Sequence, residues 1–306
     1  MGKIAIVFSG QGAQYPGMGK ELYESSRAAK AVFDMAESIR PGTLAQCWES
    51  DAATLAITEN TQPCLFAMDL AVGEALREAG VKADGVAGFS LGELAAAAFS
   101  GMLSFEDAFR ITVERGKLMQ ACAEKNPGAM YAVMRMTPEK VEELAAKFEQ
   151  VYPVNYNFSG QTVVAGSPES LKEFEAAVKS EKGRAIKLKV GGGFHCPFMN
   201  DASAEFRKFL DGFTFNEPDI PVYSNVTAQP YSEDPRELLA KQIISPVRWA
   251  QSVANMESDG FDTFVEAGAG KTLSDLIKKI GGAEIVARAE NDETLKEALA
   301  ALGIEG

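Results

Sequence analysis

The residues IAIVFSG, 4 to 10, form a short unbroken apolar run that breaks into the glycine loop GQGAQYPGMG. Such a run bounded by turn residues is the pattern of a strand buried on both faces. It predicts a first strand, followed by a helix near 19–39. Leu65, Phe66, Met68, Leu70, Val72 and Leu76 give a second helix, 61–78, a wide apolar face. The run GVAGF predicts another buried strand, and a long helix is expected from about 104 to 124. Short apolar strands alternating with helices indicate a parallel sheet covered on both faces. Between 129 and 190 the pattern changes: AMYAVMRM, YPVNYN, QTVVAG and RAIKLKV read as strands. Two helices interrupt them, TPEKVEELAAKFEQ and SPESLKEFEAAVKS, which Thr137 and Ser167 are placed to cap. That order, βαββαβ, predicts a small ferredoxin-like module. After GGGF the first rhythm returns: a helix near 199–211, a strand PVYSNVT, helices near 235–243 and 247–258, a strand DTFVEAG, a helix near 271–280, a strand EIVAR and a last helix. The fold class expected is α/β. A large α/β-hydrolase-like domain (1–127 and 192–306) would carry an inserted ferredoxin-like subdomain (128–191), with no internal repeat or long linker.

Composition narrows the function classes. Of 306 residues, 46% are apolar and 24% charged, ordinary for a soluble globular chain. No stretch approaches the roughly 20 apolar residues of a membrane span, and the start, MGKIAIVFSG, is too brief an apolar run for a signal peptide. A cytoplasmic location is expected. The four cysteines (Cys47, Cys64, Cys122, Cys196) are scattered without metal-ligand spacing and read as reduced buried thiols. A single histidine excludes a histidine-based metal cluster, and a net charge of −13 argues against nucleic acid or an anionic membrane as partner.

The candidate chemistry begins at GFSLG, where Ser90 stands between Gly88 and Gly92 at a strand-to-helix junction. In a G-x-S-x-G turn small neighbours let the backbone fold sharply while the hydroxyl projects into a cleft. The helix that follows offers free N–H groups and the positive end of its dipole to an oxyanion. A turn serine without chemistry also fits these five residues. A nucleophilic serine needs a base, and His195 is the one side chain whose ordinary pKa lies near neutrality. Taken alone it would read as a surface or satisfied core histidine; beside the serine turn it becomes the candidate base. What orients its ring stays open, since 43 acidic residues offer too many carboxylates and a backbone carbonyl would serve as well. Arg115 shares a predicted helix with Phe109, Leu118 and Met119, so it either snorkels to water or serves a buried anion.

Nearly the whole chain resembles the malonyl-CoA:acyl carrier protein transacylases of fatty-acid synthesis and the related acyltransferase domains of polyketide synthases. The motifs that carry the resemblance stand in the family's order: FSGQGAQYPGMG, GFSLGE, ERGKLMQ, GAMYAV, NYNFSGQTVVAG, GGFHCPFM, YSNVTAQP, PVRWAQSV and EAGAGKTL. The resemblance implies Ser90 as acyl-accepting nucleophile and His195 as general base. It also implies the N–H groups of Gln11 and Leu91 as oxyanion hole, Arg115 as the partner of the malonyl carboxylate, and the main-chain carbonyl of Gln242 as the group that orients the imidazole. Family members commonly carry histidine just before the serine; here it is Phe89. Phe194, before the base, is the residue that accompanies malonyl rather than methylmalonyl selection in polyketide acyltransferases.

The expected activity is ping-pong transfer of malonyl from malonyl-CoA to the phosphopantetheine thiol of an acyl carrier protein, by a monomer, with no cofactor or metal. The alternatives are a stand-alone acyltransferase of a polyketide pathway and a serine thioesterase or esterase. A carrier-binding module without turnover is a third reading, which the presence of both serine and histidine disfavours. Carrier proteins of this family are acidic, so Arg184, Lys187, Lys189 and Lys271 are candidate docking residues, although ordinary solvated lysines fit equally well.

Overall fold

A computed structural model describes residues 2–304. Among these described residues nine strands form two sheets: β1 (Lys3–Phe8), β2 (Gly85–Gly88), β7 (Val222–Tyr223), β8 (Phe261–Ala267) and β9 (Ile285–Ala289) make one, and β3 (Ala129–Met134), β4 (Val151–Phe158), β5 (Gln161–Gly166) and β6 (Arg184–Lys187) the other. The molecule is thus an α/β fold with one parallel and one antiparallel sheet.

In the five-stranded sheet, ordered β7-β2-β1-β8-β9, every pairing is parallel. Ile4 to Phe8 are all buried because helices cover both faces, which is why this strand reads as a continuous apolar run rather than an alternation. Phe8 lies opposite Gly88 in the register. The loop after β1 and the serine turn after β2 therefore emerge side by side at the carboxyl edge of the sheet, where open α/β sheets place their ligands.

The four-stranded sheet is ordered β4-β5-β3-β6, with antiparallel pairings throughout. Its elements follow the strand-helix-strand-strand-helix-strand order read from the sequence. The helices Pro138–Ala145 and Pro168–Ser180 are capped by Thr137 and Ser167, whose hydroxyls accept from Lys140 N and Ser170 N. Alternation sorts the faces. Val133 and Val164 pack with Leu171 and Phe174 beneath those helices, whereas Met130, Ala132, Val163 and Ala165 join the main core. Two backbone bonds, Val247 N to Val154 O (2.8 Å) and Tyr156 N to Val247 O (2.9 Å), tie β4 to the other half of the chain.

Several boundaries differ from expectation for local reasons. The helix expected at 19–39 is two, Lys20–Ser25 and Arg27–Ile39, because Ser26 turns extended and its hydroxyl accepts from Ala29 N, capping the second. Helices Thr43–Glu49 and Ala52–Leu55 carry too few turns to announce a period. The helix expected at 61–78 starts at Thr58. The strand expected across PVYSNVT stops after Tyr223, since Asn225 N turns to the Glu93 carboxylate instead of a neighbouring strand.

Candidate active site

Gly88 and Gly92 are needed for close approach rather than for φ. A Cβ on Gly88 would overlap the backbone of Gly92, and one on Gly92 would overlap the carbonyls of Phe8 and Ser9. Ser90 carries the strain itself, at φ 54°, a left-handed conformation costly for a residue with a Cβ. Asn225 holds the turn: its Oδ1 accepts from Ser90 N at 2.7 Å and its Nδ2 donates to Gly88 O at 2.7 Å. Leu91 caps the helix Gly92–Phe99 and Gln11 lies in the loop after β1. Among the described residues neither backbone N–H has an acceptor, which leaves two donors at the mouth of the turn.

His195 reaches this turn across 105 residues of sequence. Its Nε2 lies 2.7 Å from Ser90 Oγ, and its Nδ1 lies 2.9 Å from the main-chain oxygen of Gln242. A carbonyl can only accept, so Nδ1 carries the proton and the Nε2 lone pair faces the serine hydroxyl. The ring is buried. Burial first, and the charge of Arg115 second, lower its pKa to about 4, against which the Gln242 carbonyl pulls upward. The imidazole is neutral and available as a base at pH 7.

Arg115, on the helix Phe105–Lys125, does not snorkel: it is 2% exposed. Its Nη1 donates to Gln62 Oε1 (2.9 Å), and its Nη2 donates to Gln242 Oε1 (2.8 Å) and Ser90 Oγ (3.3 Å). Burial lowers its pKa to about 10, partly offset by the charge of Glu93, so it stays cationic at neutral pH. Among the described residues no carboxylate pairs with it directly. A buried guanidinium held only by amide and hydroxyl oxygens can receive an anion.

Ser90, His195, Gln11, Phe89, Met119 and Phe194 share the wall of a cavity of about 70 Å³. It opens past Leu188 and Val190 into a groove of about 360 Å³ that reaches Lys189 and Thr272. Phe89 meets Trp249 edge-on at 5.6 Å, so the position before the serine is apolar wall. Phe194 is nine-tenths buried. Asn155 and Asn157, on β4, line the groove, and the Oδ1 atom of each is buried without a partner. A larger cavity of about 640 Å³, near Lys125 and Asp201, contains none of these residues. No helix of the described residues is long and apolar enough to cross a membrane, and none of their His, Cys, Asp and Glu side chains cluster to hold a metal ion.

The seven residues singled out in the sequence lie around one cavity or in contact with the groups that line it. Gln62, Glu93, Asn225, Asn155 and Asn157 were not anticipated. Amides have no spacing rule, and the one signal available was that Glu93 and Asn225 fall inside the motifs GFSLGE and YSNVTAQP.

The chain belongs to the acyl transferases: the family model "Acyl transferase domain" matches residues 5–295. Within that class it is a member of the malonyl CoA-acyl carrier protein transacylase family. It is 38% identical over 99% of its length to the malonyl CoA-acyl carrier protein transacylase of Bacillus subtilis (strain 168), covering 98% of that protein. The crystal structure of the transacylase from Clostridium perfringens superposes with a TM-score of 0.95 at 36% identity, over 98% of this chain and 97% of that one. A malonyl-transacylase solved in complex with a type II PKS acyl-carrier protein superposes at 0.93 with 31% identity, over 97% and 99% of the two chains.

Proposed function

We infer that the protein transfers the malonyl group of malonyl-CoA to the phosphopantetheine thiol of an acyl carrier protein through a malonyl ester on Ser90. The observation that carries this reading is the buried guanidinium with no direct carboxylate partner, 3.3 Å from a serine oxygen that faces a neutral imidazole. Nucleophile, base and an anion receptor for the acyl chain meet at one point.

His195 Nε2 takes the proton of Ser90 Oγ as the oxygen attacks the thioester carbonyl. The Leu91 and Gln11 N–H groups receive the oxyanion. Collapse of the tetrahedral intermediate breaks the C–S bond, and His195 returns its proton to the departing coenzyme A thiolate. The carrier's thiol then gives a proton to His195, attacks the ester carbonyl, and the serine oxygen leaves with that proton. Throughout, Arg115 pairs with the free carboxylate. The Gln242 carbonyl keeps Nδ1 protonated and stabilises the imidazolium, in place of a triad carboxylate.

The buried acceptors of Asn155 and Asn157 suit the two amide N–H groups of a pantetheine arm lying in the groove. Phe194, which lines the small cavity beside the base, would clash with an α-methyl substituent, and this supports malonyl over methylmalonyl. We assign 1–127 and 192–306 to an α/β-hydrolase-like domain and 128–191 to a ferredoxin-like insertion, since among the described residues β3 to β6 form a sheet of their own, joined to the rest through the single bridge of Asn155 to Val247.

The test is to incubate the protein with malonyl-CoA, locate a malonyl adduct by peptide mass, and chase with carrier protein or buffer. An adduct on Ser90 that passes to carrier and resists buffer supports the reading. Rapid loss to buffer alone would make the protein a hydrolase, and no adduct would refute the covalent mechanism.

A further inference from the structure

The carboxylate nearest to the charged chemistry of the site touches neither Arg115 nor His195. Glu93, in the first turn of the helix after Ser90, is fully buried. Its Oε2 accepts from Gln242 Nε2 (2.7 Å) and Asn225 N (3.0 Å), and its Oε1 accepts from the Tyr231 hydroxyl. Three donors and no direct cation surround it. The same Gln242 amide presents its Oε1 to Arg115 at 2.8 Å, and its Nε2 also donates to Ser90 O at 2.8 Å. One carboxamide therefore stands between a buried cation and a buried anion, oxygen toward the first and nitrogen toward the second.

We propose that Glu93 is a positioning residue for the acyl transfer, the counter-ion of Arg115 held one amide away. The spacing has a chemical purpose. A carboxylate in direct contact would fill the guanidinium fork and have to be expelled by each incoming acyl carboxylate. A carboxylate behind an amide compensates the charge through space while leaving the fork bound only to neutral oxygens, which an anion displaces easily. The groups that face Glu93 are Tyr231, Asn225 and Gln242, with Arg115 and, beyond it, His195 as the charged or titratable neighbours of the site.

This inference rests on the malonyl-transfer reading, and its test separates the two. Single-turnover acylation of Ser90 is measured with malonyl-CoA and acetyl-CoA across pH for wild type and Glu93→Gln, which preserves shape and removes charge. With the counter-ion gone, the half-saturating malonyl-CoA concentration falls about tenfold while that of acetyl-CoA is unchanged. Near pH 4 the two proteins converge, because burial raises the Glu93 pKa and the wild-type carboxylate is already protonated there. A purely structural role would raise half-saturation for both donors and keep the two proteins apart at every pH, and that result overturns the proposal. Should Glu93→Gln not fold, Tyr231→Phe removes a donor that favours the ionised carboxylate and so raises the Glu93 pKa further. The pH at which malonyl half-saturation falls to the charge-free value moves upward, and no movement refutes the role. Wild-type protein that never takes up malonyl would instead remove the transfer reading itself.

Discussion

At the scale of single residues, the burial of His195 decides how the reaction responds to pH. Its folded pKa, about 4, lies below the ordinary 6.5. The base is thus fully available at pH 6 and above, and acylation is expected to stay flat from pH 8 to 6 and to fall only as pH approaches 4. For stability the sign is the same: between 6.5 and 4 the unfolded chain binds a proton at His195 that the folded chain refuses, so the stability contributed by this residue is lost as pH falls through that window. Calorimetric melting of wild type against His195→Gln across pH isolates that contribution from those of the buried carboxylates, whose raised pKa values act in the opposite sense. Arg115→Ala couples the two functions of the site. Malonyl loading should drop by about a hundredfold or more, because the carboxylate would be left unpaired in a dry cavity, while acetyl loading persists. The acid limb of acetyl loading should move to higher pH, since the cation that depresses the imidazole is gone. Rates measured with the two donors over the same buffers would show both effects. The serine was legible from its glycine-flanked turn and the histidine as the sole imidazole of the sequence, whereas for Arg115 the residues left snorkelling open and the family resemblance pointed to the anion. The group that orients the imidazole was not legible from the residues themselves, since a main-chain carbonyl has no side-chain identity; only the family resemblance pointed to Gln242.

At the scale of elements, the serine turn depends on backbone touching backbone. Gly88→Ala or Gly92→Ala should cost about 3 kcal/mol or more, because the clash is with main chain that has no rotamer to adopt. Denaturant melts would reveal it, and unchanged stability would show that the strand and helix can separate. On β4, Asn155→Ala and Asn157→Ala remove acceptors that lack partners within the protein. Each should raise the half-saturating concentration of CoA thioester by about five- to tenfold, the worth of one net hydrogen bond, with little change in melting temperature. The parallel strands and the longer helices could be read from the sequence because burial on both faces and a 3.6-residue period leave dense patterns. Ser26, the short helices at 43–49 and 52–55, and the early end of β7 could not. Each is set by one hydrogen bond or one distant partner, and composition does not encode either.

At the scale of the whole molecule, the reaction sits where two sheets of different construction meet. One face of the antiparallel sheet completes the main core and the wall of the groove, while the other is sealed by its own two helices. The chain carries a net charge of −13, so an acidic carrier is met by general repulsion and only a local patch can bring it in. Lys187 and Lys189 are exposed, make no ion pair among the described residues, and line a separate surface hollow beside Ile57. Lys187→Glu is expected to slow transfer from the malonyl-enzyme to carrier protein by about tenfold at low salt while leaving loading from malonyl-CoA unchanged. Stopped-flow comparison of the two half-reactions decides it, and equal slowing of both would move the docking surface elsewhere.

The Nδ1 proton of His195, shielded from water and committed to the Gln242 carbonyl, belongs to the sole imidazole of the polypeptide. Its magnetic resonance signal therefore has no counterpart with which to overlap. A spectroscopist could follow this nucleus through resting, acylated and carrier-bound forms without isotope editing or assignment by mutation.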